Sequence, residues 1–297
     1  MFQNVNQIII KAITPIHAGM GRTLGLIDMP IQKEKHTGIP KIEGSTIKGC
    51  LRELYRIKNQ GGNIDKLFGP EKGEDSASIL GFTDAKLLFY PIITLEGIFA
   101  YVTCPYLLNR YFQDEILKKQ IENQIEDEKP DKNMFLEELQ EGKCIILDKD
   151  NEHNTSIVLD EYYFQENKYY FTNNEEVLKN LDLKNFNLNK SKKAVIISDN
   201  DFIEIITLCR EVITRNKINH DTGTVAKSSL FSEEYLPSET ILYTLLLKNG
   251  IKDNMGDLYK KYLKEFPKFA QIGGNFTIGK GIVEMSVIGG ENKGGEK

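Results

Sequence analysis

The sequence predicts an α+β fold built on an antiparallel sheet, and three observations predict it. A strand–helix–strand–strand pattern opens the chain, and a strand–helix–strand pattern recurs near its end. Between them lies a stretch of different composition: residues 112–190 carry 19 Asp or Glu against ten Lys or Arg, a local charge of −9. The 297 residues are 40% hydrophobic and 27% charged, an ordinary globular composition with enough chain to bury a substantial core.

Taken in order, Gln7 to Ile13 (QIIIKAI) is rich in β-branched residues and reads as a buried strand. It runs into TPIHAGMGRTLG, a loop with three glycines. Gly44-Ser45 then opens a helix through about Lys58, with Ser45 as the expected N-cap. Ile47, Leu51, Leu54, Tyr55 and Ile57 form its apolar stripe, while Lys48, Arg52 and Arg56, four residues apart, align on another side. Ser78 to Tyr90 and Gly97 to Thr103 are core strands, and Pro105 suits the first position of the next helix. From 112 to 193 the chain is read as an inserted acidic helical subdomain or lid. AVII resumes the body, and Phe202, Ile205, Ile206, Cys209, Val212 and Ile213 follow helical spacing. A β-hairpin near 216–232 turns at HDTG. Glu239 to Leu247 is a strand, Asn254 to Phe266 a helix, and Gly281 to Ile288 a last strand after the glycine-rich loop QIGGNFTIGKG. The body is thus expected at 1–111 and 194–290, with a disordered tail at 291–297. A ferredoxin-like, RNA-recognition-type core fits this order.

Charge and motif content narrow the function classes. The net charge is −5, yet the acidic stretch leaves +4 for the rest, and Lys33 to Lys58 alone holds seven cations against three Glu. A cationic segment inside an acidic protein fits a polyanionic partner. No apolar run is long enough to span a bilayer, and MFQNVNQIII is not a cationic leader, so a cytoplasmic protein without a membrane partner is expected. Cys50, Cys104, Cys144 and Cys209 form no C-x-x-C pair, and the four histidines form no H-E-x-x-H, so neither a zinc site nor a disulfide framework is indicated. GMGRTLG is not closed by G-K-[ST], which disfavours ATP hydrolysis and leaves no nucleotide or organic cofactor expected.

HAGMGRTLGLIDMPIQKEKHTGIPKIEGSTIKGCLRE, LFGPE, GFTDAKLLFYPI, FAYVTCPYLL, SEEYLPSET and QIGGNFTIGKG together resemble the RAMP superfamily of CRISPR effector proteins, specifically the repeating backbone subunit of the Cmr (type III-B) RNA-targeting complex. The resemblance runs nearly end to end and is weakest across the acidic stretch. It implies a ferredoxin-like palm, a protruding thumb hairpin, and polymerisation of copies along a guide CRISPR RNA beside other Cmr subunits. It also implies cutting of complementary single-stranded target RNA beside each thumb, with help from a divalent metal of the Mg or Mn type.

Residue roles follow from that resemblance joined to side-chain chemistry. Asp28, the acid of LGLIDMP, is the expected catalytic residue, either as general base toward a ribose 2′-OH or as metal ligand. Read without the resemblance, it is a turn-capping aspartate. His17 is a candidate phosphate donor or general acid, and Glu233, Glu234 and Tyr235 are candidates to assist on the return from the thumb. Lys48 and Arg52, with Gly44 and Ser45 at the helix start, are expected on guide phosphates. Gly273, Gly274, Gly279, Lys280 and Gly281 form a second RNA-facing element, and His220, Thr222 and Val225 lie on the thumb, Val225 as an apolar wedge. Two rivals stay open: a non-catalytic architectural guide-RNA-binding subunit, and a ribonuclease that processes guide precursors.

Overall fold

β1 (Phe2–Ala12) is buried on both faces, as its QIIIKA core dictates, and a long loop leads from it through β2 (Lys41–Ile42) into α1 (Gly44–Asn59) and the short α2 (Ile64–Phe68). β3 (Leu80–Phe82), β4 (Ala85–Thr94), β5 (Ile98–Thr103) and α3 (Pro105–Asn123) follow. Then come β6 (Lys143–Ile146), β7 (Ser156–Leu159), β8 (Tyr162–Glu166), α4 (Lys168–Asn173) and α5 (Glu175–Lys179). The chain returns through β9 (Ala194–Ile197), α6 (Asp199–Leu208), β10 (Glu211–Arg215), β11 (Phe231–Tyr235), β12 (Ile241–Asn249), α7 (Gly256–Lys264), β13 (Phe269–Gln271) and β14 (Ile282–Val287). This computed structural model describes residues 2–59, 62–71, 77–123, 135–147, 155–179, 181–189, 192–219, 221–225, 229–250 and 255–288. The tail at 291–297 and His220 lie outside them.

The fold is mixed α+β. One twelve-stranded sheet runs β13-β14-β1-β12-β4-β5-β9-β6-β8-β7, with β2 on β4 and β3 on β12. β7 returns to pair with β4 at Thr94–Leu159, so β4-β5-β9-β6-β8-β7 close on themselves in a barrel-like curl that removes exposed strand edges. Most pairings are antiparallel as expected, but β5–β9 and β6–β8 are parallel. The 112–193 stretch is not only helical, because its three strands join this sheet.

Two apolar cores sit on opposite faces. Ile8 and Ile10 of β1 join α1 (Ile47, Leu51), α6 (Phe202, Ile205) and α7 (Tyr259, Tyr262). Ile9 points the other way, toward Leu108, Tyr111 and Phe112 of α3 and toward Leu136, Tyr170 and Phe186. Each fully buried aliphatic side chain here contributes about 1.5–3 kcal/mol relative to exposure. Ile57, assigned to the α1 stripe, is instead exposed in the last turn of the helix.

Two element expectations change. α6 is capped by Ser198, whose side chain accepts from the Asp201 N–H, but it ends at Leu208. Val212 and Ile213 lie in β10, paired with Glu234 and Glu233 of β11, since β-branched residues that match helical spacing also suit a strand once a partner is beside them. The hairpin accordingly begins earlier than 216. Ser45 is not the α1 N-cap, because the Ile47 N–H bonds the Glu43 carbonyl and the Gly44 N–H is held by Asp84 Oδ1 at 2.9 Å.

Candidate active site

β11 (FSEEY) is the strut of the site, and the period-two alternation of a strand sends its side chains to two faces. Ser232 and Glu234 face the returning loop 28–33. The Ser232 N–H and hydroxyl both donate to Asp28 Oδ2, at 2.8 and 2.9 Å, and the Asp28 N–H is 3.0 Å from Ser232 Oγ. These bonds from the Ser232 backbone and hydroxyl hold the half-buried Asp28 carboxyl below its ordinary range, so it is ionised at neutral pH. Glu234 is fully buried. Its Oε2 accepts from the Ile31 N–H at 3.1 Å and its Oε1 from Lys33 Nζ at 2.6 Å, which pins the loop that carries Asp28. The carboxylate of Glu234 thus anchors that loop through both of its oxygens.

Glu233 and Tyr235 face the other way. The Tyr235 hydroxyl donates to Glu233 Oε2 at 2.6 Å and accepts from Arg215 at 2.7 Å and from Asn275 Nδ2 at 2.8 Å, while the Arg215 guanidinium also pairs with Glu233. Burial pushes the Glu233 carboxyl up, but the Tyr235 hydroxyl, the Asn275 amide and Arg215 outweigh it and hold the group below its usual range. His17 is buried against Tyr235, ring centroids 5.4 Å apart, and its Nδ1–H donates to the Glu234 carbonyl at 2.8 Å. With Nδ1 donating, Nε2 is the ring atom left for a further partner. Beside this network lies an open groove of about 610 Å³ lined by Thr214, Arg215, Phe231, Glu233, Asn275 and Ile278. Sequence reasoning missed Arg215, Ser232 and Asn275. Only Asn275 carried a local signal, an asparagine among glycines, and it takes a left-handed φ of 64°.

The two ends of the glycine loop pack on this site, while residues 276–279 between them are exposed. Gly273 has φ +85° and a Cβ there would sit 2.4 Å from the His17 carbonyl oxygen. The Gly274 N–H donates to that oxygen at 2.9 Å. Gly281, at φ +80°, donates to the Pro15 carbonyl at 2.9 Å, and a Cβ would meet the Ile272 oxygen at 2.2 Å. Gly279 takes a left-handed φ of 74° at the end of a short 3-10 turn. Gly273, Gly274 and Gly281 hold the loop of Pro15 and His17 in place. Lys280 Nζ sits 4.7 Å above the Tyr235 ring and 3.8 Å from Glu211.

The expected phosphate-binding face of α1 is largely neutralised within the chain. Arg52 donates to the Gly69 carbonyl and to Asp65 at 3.0 Å, and it lies 3.7 Å from Glu71. Lys48 donates to Ser78 at 3.1 Å, and burial, then the nearby Arg52, push its pKa down. Arg56 pairs with Glu53. Gly44 is buried, a Cβ would lie 2.5 Å from the Phe82 carbonyl oxygen, and Asp84 occupies its N–H, whereas Ser45 is exposed. Of the acids that pair with this face, Glu53 lies in α1 itself, while Asp65 of α2 and Glu71 are brought to Arg52 by the turn after the helix. Arg52→Ala is therefore expected to cost about 1–2 kcal/mol of stability in a denaturant titration.

Asp28 alone does not make a resident metal site: among the described residues, no group of three or more His, Cys, Asp or Glu side chains could hold an ion. On the hairpin, Ile218 and Val225 bridge across the two arms, each 54% exposed, and Thr222 bonds Thr224 at 2.8 Å. No helix of the described residues is long and apolar enough to cross a membrane.

Comparison with known proteins gives a consistent set of relatives. A family model described as the RAMP superfamily matches residues 9–284. The chain is 37% identical over 295 residues to the CRISPR system Cmr endoribonuclease Cmr4 of Pyrococcus furiosus, covering 96% of both chains. Its fold is similar to a chain of the type III-B Cmr-β complex solved by cryo-electron microscopy with cognate target RNA, at a TM-score of 0.75, 25% identity and 96% and 98% coverage of the two chains. It is also similar to the crystal structure of oligomeric Cmr4 from P. furiosus, at a TM-score of 0.67, 28% identity and the same coverage.

Proposed function

Because the chain belongs to the RAMP superfamily, we propose that it is the guide-RNA-binding backbone subunit of a type III-B CRISPR effector and the endoribonuclease that cuts target RNA paired with that guide. The observation that carries this reading is an ionised, half-buried Asp28 held by Ser232 in a chain that aligns over 96% of its length with a Cmr endoribonuclease. Residues 1–111 and 194–290 form the ferredoxin-like palm, 112–193 the lid, and the β10–β11 hairpin the thumb. Copies of the chain assemble side by side on the guide, in the cytoplasm, together with other subunits of the complex.

The chemistry is a transfer within the target strand. Asp28 accepts the proton of a ribose 2′-OH, and the 2′ oxygen attacks the adjacent phosphorus. The bond from phosphorus to the 5′ oxygen breaks, that oxygen takes a proton from water, and a 2′,3′-cyclic phosphate remains. A divalent cation of the Mg or Mn type would be held jointly by Asp28 and RNA phosphates, the usual way Mg²⁺ binds through one or two carboxylates plus substrate phosphates, and would neutralise phosphate charge. Glu234 and Lys33 keep the Asp28 loop in register, and the network of Glu233, Arg215, Tyr235 and Asn275 holds the thumb root against the palm. Ile218 and Val225 form the wedge that interrupts the guide–target duplex, offsetting unstacking of about a few kcal/mol per step. Guide contacts run through phosphates and are independent of sequence.

The test is reconstitution: guides of increasing length are mixed with the subunits of the complex, and the copies bound and the target products are counted. Products at regular spacing whose number rises with the copies bound are expected. Guide binding without any target cutting would identify an architectural subunit, and cutting of precursor RNA by the free chain would identify a processing enzyme.

A further inference from the structure

The segment from Gly19 to Ile31 doubles back on itself, and the geometry points to Arg22 as the side chain that binds the scissile phosphate. The inference rests on the reading of Asp28 as the cleavage residue. Gly19 and Ile31 bridge in antiparallel fashion, the Met20 N–H donates to the Pro30 carbonyl at 3.1 Å, and the Thr23 N–H donates to the Asp28 carbonyl at 2.9 Å. The Thr23 hydroxyl adds a bond to the Ile27 carbonyl at 2.9 Å. Arg22 is thus one residue from the rung that ends on Asp28, on a loop whose tip stands clear of the body: Leu24 and Leu26 are fully exposed.

Four other cations at this end of the fold already face an acid. Lys33 lies 2.6 Å and Arg210 3.9 Å from Glu234, Arg215 pairs with Glu233, and Lys280 lies 3.8 Å from Glu211. Arg22 is exposed, with no hydrogen bond or ion pair to it among the described residues. Its guanidinium is nevertheless within electrostatic reach of the Asp28 carboxylate, adding a smaller pull to the hydrogen bonds of Ser232 that dominate there.

The reaction needs such a group. As Asp28 takes the 2′-OH proton and the 2′ oxygen attacks, the negative charge moves from the carboxylate to the non-bridging phosphate oxygens, where a cation stabilises it. A guanidinium matches two phosphate oxygens with parallel N–H bonds and stays charged at any working pH. Arg22 therefore counters the charge that develops in the transition state, and its contribution is larger there than in the ground state.

The test uses the guide-loaded complex at neutral pH under single-turnover conditions, with Asp28→Asn as reference. Arg22→Ala is expected to slow cutting about 10- to 100-fold with target affinity and melting temperature nearly unchanged. Arg22→Lys recovers part of that rate, because it restores the charge without the fork, and Arg22→Gln, which keeps most of the length, does not. Sulfur in place of one non-bridging oxygen at the scissile linkage slows the wild type more than Arg22→Ala, a readout that a merely structural role would not move. Wild-type cutting by Arg22→Ala, a loss that follows weaker target binding, or equal sulfur effects in both proteins overturns the inference while the Asp28 reading stands. Wild-type cutting by Asp28→Asn would overturn both.

Discussion

Asp28→Asn is expected to reduce target cleavage by the guide-loaded complex about 10²- to 10⁴-fold, the range associated with losing a positioned general base. The substitution is close to isosteric, and its amide oxygen can still accept the Ser232 N–H that Asp28 Oδ2 accepts at 2.8 Å, so the loop keeps its place. The change removes the negative charge and the ability to take a proton. Guide and target affinity are expected to persist, which a filter-binding titration would check beside the cleavage time course. An unchanged product ladder would move the active site away from Asp28. Loss of binding together with cutting would mean that the residue supports assembly.

Glu234→Ala is expected to destabilise the subunit by about 3 kcal/mol, because it leaves a buried N–H and a partly buried ammonium without their partner. Those groups are the Ile31 N–H and Lys33 Nζ, and Glu234 itself has no exposed surface. Glu234→Gln keeps an acceptor for Ile31 but loses the attraction to Lys33, so a smaller loss is expected. Denaturant midpoints of the isolated subunit measure both. Cleavage should fall with Glu234→Ala in proportion to the disordering of the Asp28 loop. A variant that melts like the wild type yet fails to cut would instead make Glu234 a participant in the chemistry. The contrast with Asp28→Asn is informative, since one acid is expected to matter for rate and the other for structure although both are tied to the same strand.

Much of the fold could be read locally. The β-branched run of β1, the apolar stripe Ile47, Leu51, Leu54 of α1 and the turn at HDTG each carry their signal within a few residues. Val212 and Ile213 misled because their spacing satisfies a helix, and only the antiparallel partner β11, some twenty residues on, makes them a strand. The strands of the 112–193 stretch were hidden for a related reason: the hydrophobic positions of β6 to β8 are short and separated by charged loops, and they gain meaning only when β9 and β4 lie beside them.

The sequence by itself determined the side-chain chemistry on offer and the local periodicities: an acid in an apolar run, a cationic helix, a glycine loop, an acid-acid-phenol strand. Only the tertiary structure decided which of these groups are still available to a partner. Lys48, Arg52 and Glu234 look reactive in one dimension and are engaged in three, by Ser78, by Asp65 and Gly69, and by Lys33 and Ile31. Asp28 is poised by Ser232 from 204 residues away, and Arg22 makes no hydrogen bond or ion pair among the described residues. The physical reason is that electrostatic and hydrogen-bond interactions act over a few ångströms of space, whereas periodicity acts along a few residues of chain. A group's pairing depends on what the fold brings to it.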